Sequence, residues 1–587
     1  MFSCALLGAA LALGQADSDS PPPVRIITTC QTNAYADRGI PATATGNSYV
    51  PNSPAALSSG QTAPAQTSTL PTPPLPSTVE RSKVQTSGPA VEPTADKNGV
   101  VNQNGSSEKN ASKEPHSGEN GFAECIKPKR EDGGFLFRFY KAYYDEFFPS
   151  KKETGEEEPE KPRRALPAPF DAPPFPGSEW QGYPLIGVPA PDPGQYPIMK
   201  ALYGADTGWS EWIKNSRISF SGWVNASGNW STAKNNNIPE VYWIVPNHYE
   251  LDQLVFKLER YPDTVQTDHI DWGFRIISLY GMDYRYTMAG GWGSDQLLEH
   301  NLLYGWDPTE VYFNVYLPYF LGGTDIRVGR WIACPDIETQ YSLDNFMGTH
   351  SLLFAVDTYT DTGVLVSQVL NKQWTVQGGI HSGTDMAPWY KGSVATGMAG
   401  IRWVAEDNND SIYAWVNAVN SGQFRHFQQY GVPLGHENFN YVVATWQHRF
   451  NKDIQTRFES YYMWERNAEL GGTPSDGPVK PFGGGGGDLP LIPGLSQAYG
   501  VLNYTAFAFT RNDYFTLRNE WFRDETGFRQ GARGVFTSHS IGLSHYFNEV
   551  FAVRPEIGYY RNWTNPNFDN GTKNGIWVYG LDVTLRF

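Results

Sequence analysis

Alternation of apolar and polar residues restricts this chain more than any other feature, and it is strictest at the end. The last thirteen residues read GIWVYGLDVTLRF. Trp577, Tyr579, Leu581, Val583, Leu585 and Phe587 alternate with Val578, Gly580, Asp582, Thr584 and Arg586. Successive side chains of a β-strand point to opposite faces, so this segment has one large apolar face and one carrying Gly, Asp, Thr and Arg. A soluble protein rarely leaves such a strand at its free end. A membrane β-barrel requires one: lipid outside, a polar lumen inside, and a last strand that pairs with the first.

The same period of two runs back through about 385 residues. Phe515, Leu517 and Trp521 alternate with Thr516, Arg518 and Glu520, and Ile454, Phe458, Tyr462 and Trp464 with Gln455, Arg457 and Glu459. Short polar joints centred on Asn (VLNKQWT, RFNKDIQ, FTRNDYF, YFNEVFA) read as tight hairpin turns. They alternate with long joints: AEDNNDS, 421–438, 466–496 and NWTNPNFDNGTKNG. About sixteen strands are expected, at 218–227, 250–261, 271–280, 309–317, 324–333, 362–370, 373–381, 396–405, 411–419, 438–450, 454–464, 498–509, 513–523, 536–547, 551–562 and 575–587. An even count puts both ends of a closed antiparallel barrel on the short-turn side, which in bacterial outer membranes is periplasmic. The fold expected is all-β: a transmembrane antiparallel β-barrel over 201–587.

Composition agrees. Charged residues are only 18% and aromatics 14%, a balance that suits strands and turns better than a bundle of apolar helices. No apolar run reaches the roughly 18 residues a membrane-spanning helix needs. A net charge of −16 argues against a nucleic-acid partner. Cys4, Cys30, Cys125 and Cys334 match no metal motif, and Cys30–Cys125 is the pair an oxidising compartment could bridge.

The N-terminal region differs. Residues 1–16 read as a signal peptide ending in the small-x-small site Gly14-Gln15-Ala16, without the usual preceding positive charge. Residues 17–200 are Pro/Ser/Thr-rich and charged, with few bulky apolar residues to offset the entropy of ordering, and are expected to be disordered. A short amphipathic helix near 135–148, where Leu136, Tyr140, Tyr143, Tyr144 and Phe147 recur at helical spacing, competes with a local apolar cluster. GGGGGD at 483–488 lacks the Lys-Ser/Thr ending of a phosphate loop and reads as a flexible surface loop.

Several stretches resemble the β-barrel porin-2 family, the OmpL-like outer-membrane porins: YELDQLVFKLER (249–260), WGFRIISLYGMDYRYT (272–287), DIRVGRWIACPDIETQYSLDNFMGTHSLLF (325–354), DTGVLVSQVLNKQWTVQGGIHSGTD (361–385), LRNEWFRDETGFR (517–529) and VRPEIGYYRNW (553–563). The resemblance covers most of 203–587 and rests on the order of these stretches. It implies a barrel in the bacterial outer membrane that passes small hydrophilic solutes or ions, with no cofactor. Lipid and the barrel-assembly machinery are the expected partners, with a homotrimer left open and the N-terminal arm in the periplasm.

Two groups of residues are candidates for sorting solutes. Asp336, Glu338, Asp344, Asn345 and His350 lie together between strands. They belong either to a loop that folds inward and narrows the pore, or to one that packs on the wall with its polar groups satisfied. Arg275, Arg327, Arg402, Arg457, Arg518 and Arg554 fall on the non-lipid face of their strands. They form either a basic ladder or pairs with lumen acids such as Glu459, Glu520 and Glu556; the second is favoured because Arg457 and Glu459, and Arg518 and Glu520, share strands. Two rivals to a pore remain: a structural or adhesive barrel with a plugged lumen, and a barrel enzyme such as a lipase. The adjacent pairs His350-Ser351, His381-Ser382 and His539-Ser540 cannot form a strand dyad, because neighbours point to opposite faces.

Overall fold

The computed structural model describes residues 133–149, 186–187, 192–205, 207–239, 242–298, 300, 302–333, 336–356, 358–390, 393–419, 439–468, 470 and 492–587. Expectations for the signal peptide, the four cysteines, the GGGGGD stretch and most of the Pro-rich region fall outside these residues. Among the described residues, three α-helices precede the strands: α1 (Phe135–Phe147), α2 (Pro197–Tyr203) and α3 (Gly208–Ser216). Pro197 opens α2, where its missing N–H leaves no bond unmade. The Thr207 side chain caps α3 by accepting from Ser210 N at 3.3 Å.

Sixteen strands follow: β1 (Ile218–Ser231), β2 (Tyr249–Arg260), β3 (Asp271–Gly281), β4 (Gly305–Leu317), β5 (Thr324–Ile332), β6 (Thr360–Val369), β7 (Trp374–His381), β8 (Thr396–Val404), β9 (Asp410–Val419), β10 (Asn440–Arg449), β11 (Ile454–Arg466), β12 (Leu495–Ala508), β13 (Asp513–Asp524), β14 (Gly534–Tyr546), β15 (Phe551–Asn562) and β16 (Gly575–Arg586). Each pairs antiparallel with its sequence neighbours, and β1 pairs with β16 from Trp223↔Arg586 to Ser231↔Val578, closing the barrel. The strand positions agree with the alternation. The largest differences are β1, which runs to Ser231 rather than 227, and β4, which starts at Gly305 rather than 309. Pro308 would normally interrupt a ladder, but it falls where the β3–β4 register shifts, so its missing N–H breaks no pairing.

Three of the four Asn turns share one construction; in the fourth, Thr510 Oγ1 accepts from Asn512 N at 3.1 Å. Asn371 Oδ1 accepts from Gln373 N (2.9 Å) and Trp374 N (3.0 Å), and Asn451 and Asn548 repeat this with Asp453–Ile454 and Val550–Phe551. The side chain takes the place of a backbone acceptor, which is why Asn recurs there.

Burial alternates along the wall as the sequence does. In β16, Trp577, Tyr579, Leu581 and Leu585 are exposed, Val583 is half-buried, and Ile576, Val578, Gly580, Asp582, Thr584 and Arg586 are buried. In a closed barrel the exposed set faces outward. Phe587 continues it: its ring lies 5.6 Å from the exposed ring of Phe256. Around the barrel the outward apolar belt includes Ile276, Phe313, Val328, Ile401, Ile541 and Leu543. Exposed Trp230, Tyr249, Trp306, Trp563 and Trp577 ring the long-loop end, and Phe320, Trp374, Phe450, Phe509 and Phe547 the short-turn end. These are the two aromatic girdles of an outer-membrane barrel.

Candidate functional site

After β5 the chain turns into the lumen. Its sequence explains why: Phe346, Met347, Leu352, Leu353 and Phe354 are too apolar for a solvated loop. All five are buried in one cluster with Tyr461, Tyr504, Tyr514, Phe522, Phe536, Tyr546 and Tyr560, which point inward from β11 to β15. On that side the inner wall offers aromatic surface, and the connection covers it.

Polar groups then fix the loop residue by residue. Asp336 accepts from Tyr461 Oη at 2.8 Å, and Glu459 on β11 accepts from Ile337 N at 2.8 Å. Glu338 accepts from Tyr504 Oη (2.6 Å), from Ser351 N (2.9 Å) and from the Ser351 hydroxyl. Arg518 donates to the Thr349 carbonyl (2.7 Å) and to Tyr560 Oη (2.9 Å). Glu556 accepts from Thr349 N at 3.0 Å, and Glu520 from Leu352 N at 2.9 Å and from Leu353 N. Arg554 donates to the Asn345 carbonyl at 2.6 Å and to the Ser342 carbonyl, and is paired with Asp582.

The opposite wall holds the loop too. Gln253 on β2 donates to the Gln340 carbonyl at 2.8 Å and accepts from Ser342 N at 3.2 Å. The Tyr341 hydroxyl lies 2.8 Å from Thr309 Oγ1 and donates to Glu310, both on β4, while its ring meets Trp223 of β1 edge-on at 5.4 Å. The 333–359 connection therefore crosses the lumen and is anchored on both sides.

His350 sits at the centre of this crossing. Its ring stacks on Tyr242 (3.8 Å) and on Phe354 (4.5 Å), and Nε2 lies 2.6 Å from the Thr339 carbonyl and 2.8 Å from Asn345 Nδ2. Burial pushes its pKa down to about 3. Burial raises the Glu338 pKa, against the opposing pull of Arg518 and the hydrogen bonds from Ser351 and Tyr504. Asp344 differs from Asp336 and Glu338 in being only half-buried.

The six arginines all point inward and are buried. Arg275 pairs with Glu259 (3.1 Å) and Glu310 (3.6 Å), and Arg518 with Glu556 (3.3 Å) and Glu338 (3.9 Å). Pairing with lumen acids is thus the rule for these two and for Arg554. The partner of Arg518 is on a distant strand and on the loop, however, whereas Glu520 on its own strand holds loop amides. Arg457 donates to the Ile337 carbonyl at 3.4 Å and lies over the Phe346 ring at 4.9 Å. Arg327 lies over Tyr312 at 4.4 Å. Arg402 is buried on β8, a strand not named among the loop's anchors. Sequence reasoning missed Gln253, Thr349, Tyr461, Tyr504 and the Arg330–Asp307 pair (2.8 Å). One inward-facing Tyr on each of β11–β15 (Tyr461, Tyr504, Tyr514, Tyr546 and Tyr560) was the available signal.

None of the adjacent His-Ser pairs meets. The Ser351 hydroxyl donates to Glu338, and the Ser382 hydroxyl to the Thr362 carbonyl. His539 points outward, 2.9 Å from Asn519.

A closed barrel with a lipid-facing belt and a loop anchored across its lumen defines an outer-membrane channel of the porin type, for passive diffusion of small hydrophilic solutes or ions. The chain belongs to the family described as "Putative beta-barrel porin-2, OmpL-like", which matches residues 217–587. Fold and family point to a channel rather than an enzyme. No curated protein matches the chain. Among solved structures, the outer membrane channel DcaP of Acinetobacter baumannii is 10% identical, with 63% of this chain and 97% of that chain covered and a TM-score of 0.37. The anion-selective porin from Comamonas acidovorans is 8% identical, covering 63% and 99%, with a TM-score of 0.41. OmpT of Vibrio cholerae in its trimer form is 10% identical, covering 63% and 99%, with a TM-score of 0.37.

Proposed function

We propose that the 333–359 connection is the constriction of this porin and that it sorts solutes by size and charge. The observation that supports this is its anchoring to β2 and β4 on one side and β11–β15 on the other. On the wall from β6 to β10 that the loop's hydrogen bonds to β2, β4 and β11–β15 leave aside, Arg402 and Gln377 point inward. Asp344 is the loop acid best placed to act on ions, because it keeps some exposure while Asp336 and Glu338 are buried. The paired arginines act as struts and do not form an anion ladder. In the same reading the short-turn end and the N-terminal arm face the periplasm, the barrel contacts outer-membrane lipid, the assembly machinery recognises the terminal strand, and three copies assemble.

Single-channel recording of the purified full-length protein in asymmetric salt tests the proposal. Discrete ohmic conductance with a cation-shifted reversal potential is expected. A protein that inserts but never conducts would instead be the plugged structural barrel.

A further inference from the structure

The helices before the barrel carry their polarity the wrong way round for water. On α1, Ala142 is buried, Arg138 Nε donates to the Ala201 carbonyl at 2.8 Å, and Glu146 pairs with Lys200, so two of its four charged residues turn toward α2 while Lys141 and Asp145 stay exposed. The face left open carries Leu136 (79% exposed), Phe148 (61%), Phe147 (44%) and Tyr140 (38%). A helix on a water-exposed surface arranges these faces the other way.

The helices also sit beside the lipid belt, with the inward Arg586 over the Tyr196 ring at 4.8 Å. The Tyr143 hydroxyl donates to the Arg586 carbonyl, at the short-turn end of β16. The Phe147 ring is 6.3 Å from Phe551, which starts β15 and shares its outward face with Val553, Pro555 and Ile557. Tyr196, Met199 and Ile213 of the α2–α3 segment pack with Phe220, an outward residue of β1 stacked at 6.2 Å on exposed Phe256. On α3, Trp209 and Trp212 stack at 4.9 Å and are both exposed. Tryptophan at such a level is the usual anchor at a membrane–water interface.

We propose that α1, α2 and α3 form a collar seated in the periplasmic leaflet, with the open faces of α1 and α3 in contact with phospholipid beside the β15–β16–β1–β2 seam. The occupant is argued from continuity: the collar prolongs, on the same side of the wall, the apolar surface that the strands present to lipid. An amphipathic helix binds an interface through its buried apolar face. The collar would extend the anchored perimeter at the seam where the first and last strands meet. This rests on the reading of the strands as lipid-facing and of the short-turn end as periplasmic.

The test uses full-length protein in vesicles of phosphatidylethanolamine and phosphatidylglycerol, doped with a phospholipid carrying a diazirine on its acyl chain. After irradiation, peptides are mapped by mass spectrometry. Lipid adducts are expected on Leu136, Tyr140, Phe147 or Phe148 and on Trp209 or Trp212, alongside adducts on Leu581 and Leu585. Labelled strands with unlabelled helices would overturn the collar and leave the porin reading standing. Unlabelled strands would overturn both. Protein–protein adducts at α1 in place of lipid adducts would make a second copy the occupant and overturn the proposal. In Leu136→Glu/Tyr140→Glu, the α1 adducts should be largely lost while strand labelling and heat-modifiable migration persist. Undiminished α1 labelling in that variant would overturn it too.

Discussion

Glu520 offers the sharpest handle on the lumen crossing. Its two carboxylate oxygens accept separate amides of the loop, Leu352 N at 2.9 Å and Leu353 N, and the Ser538 hydroxyl donates to it at 2.7 Å. Glu520→Gln keeps the volume and one acceptor oxygen but sets an NH₂ group against one of the amides. One charge-assisted bond gives way to a contact between two donors, a loss worth about 1.5–3 kcal/mol. Taking about 2 kcal/mol for the net change, the unseated loop becomes roughly 30-fold more populated. The barrel itself should be unaffected, because β13 keeps its ladders to β12 and β14. Hydrogen exchange read by mass spectrometry on a peptide spanning 345–356 measures this directly. Exchange there should accelerate by roughly that factor, with strand peptides unchanged, and channel currents should become larger and noisier. Equal exchange in variant and wild type would refute the reasoning. So would wild-type exchange as fast as in an unfolded chain, because the loop would then not be held at all.

Three further outcomes are expected. His350 is kept neutral by burial with its pKa at about 3, so the unseated loop binds the extra proton first, and seating weakens as pH falls from about 6.5 toward 3, by up to about 1.4 kcal/mol per pH unit. Glu338, whose pKa is raised, pushes the other way, so the comparison is with His350→Gln, which retains Glu338 and should lose the histidine part of the acid sensitivity of loop exchange. Asp344→Asn should shift the reversal potential toward anions more than Asp336→Asn does, since only Asp344 keeps exposure; equal shifts would contradict the assignment. Leu581→Arg, midway along the outward face of β16, should lower stability in refolding titrations by about 2–4 kcal/mol, while Leu581→Phe costs little; similar losses for both would mean that this face does not meet lipid.

The barrel was legible because each strand separates two solvents, and a period of two is the direct imprint of that separation. Leu581 and Asp582 differ by one position and lie on opposite faces, so a register slip would put the aspartate in lipid. The turns were legible for an equally local reason, the Asn side chain replacing a backbone acceptor. The lumen crossing was only half legible. Asp336, Glu338, Asn345 and His350 stood out as a polar group, but their partners are side chains far away in sequence, such as Tyr461, Tyr504, Arg518 and Arg554. Which strand supplies an acceptor depends on where the loop lies across the lumen, and no periodicity within the loop encodes that. Same-strand proximity suggested Arg518 with Glu520, whereas the fold sends the arginine to Glu556 and Glu338 and leaves Glu520 to the loop's amides.

That exchange of partners bears on how a porin of this kind could discriminate among solutes. Counting lumen charges would suggest a strongly polarised pore. Yet Arg518, Arg554 and Arg275 each face a carboxylate within 4 Å, and Glu459, Glu520 and Glu556 each accept a backbone amide of the loop. Charges tied in this way hold the constriction in shape, and their fields largely cancel at the distance of a passing ion. Shape and charge therefore belong to different residues. In the proposed reading the paired set fixes how wide the opening is, so neutralising one of its members should alter conductance through loop movement before it alters selectivity. In the same reading selectivity falls to the less enclosed Asp344, and a change there should retune the pore without loosening it.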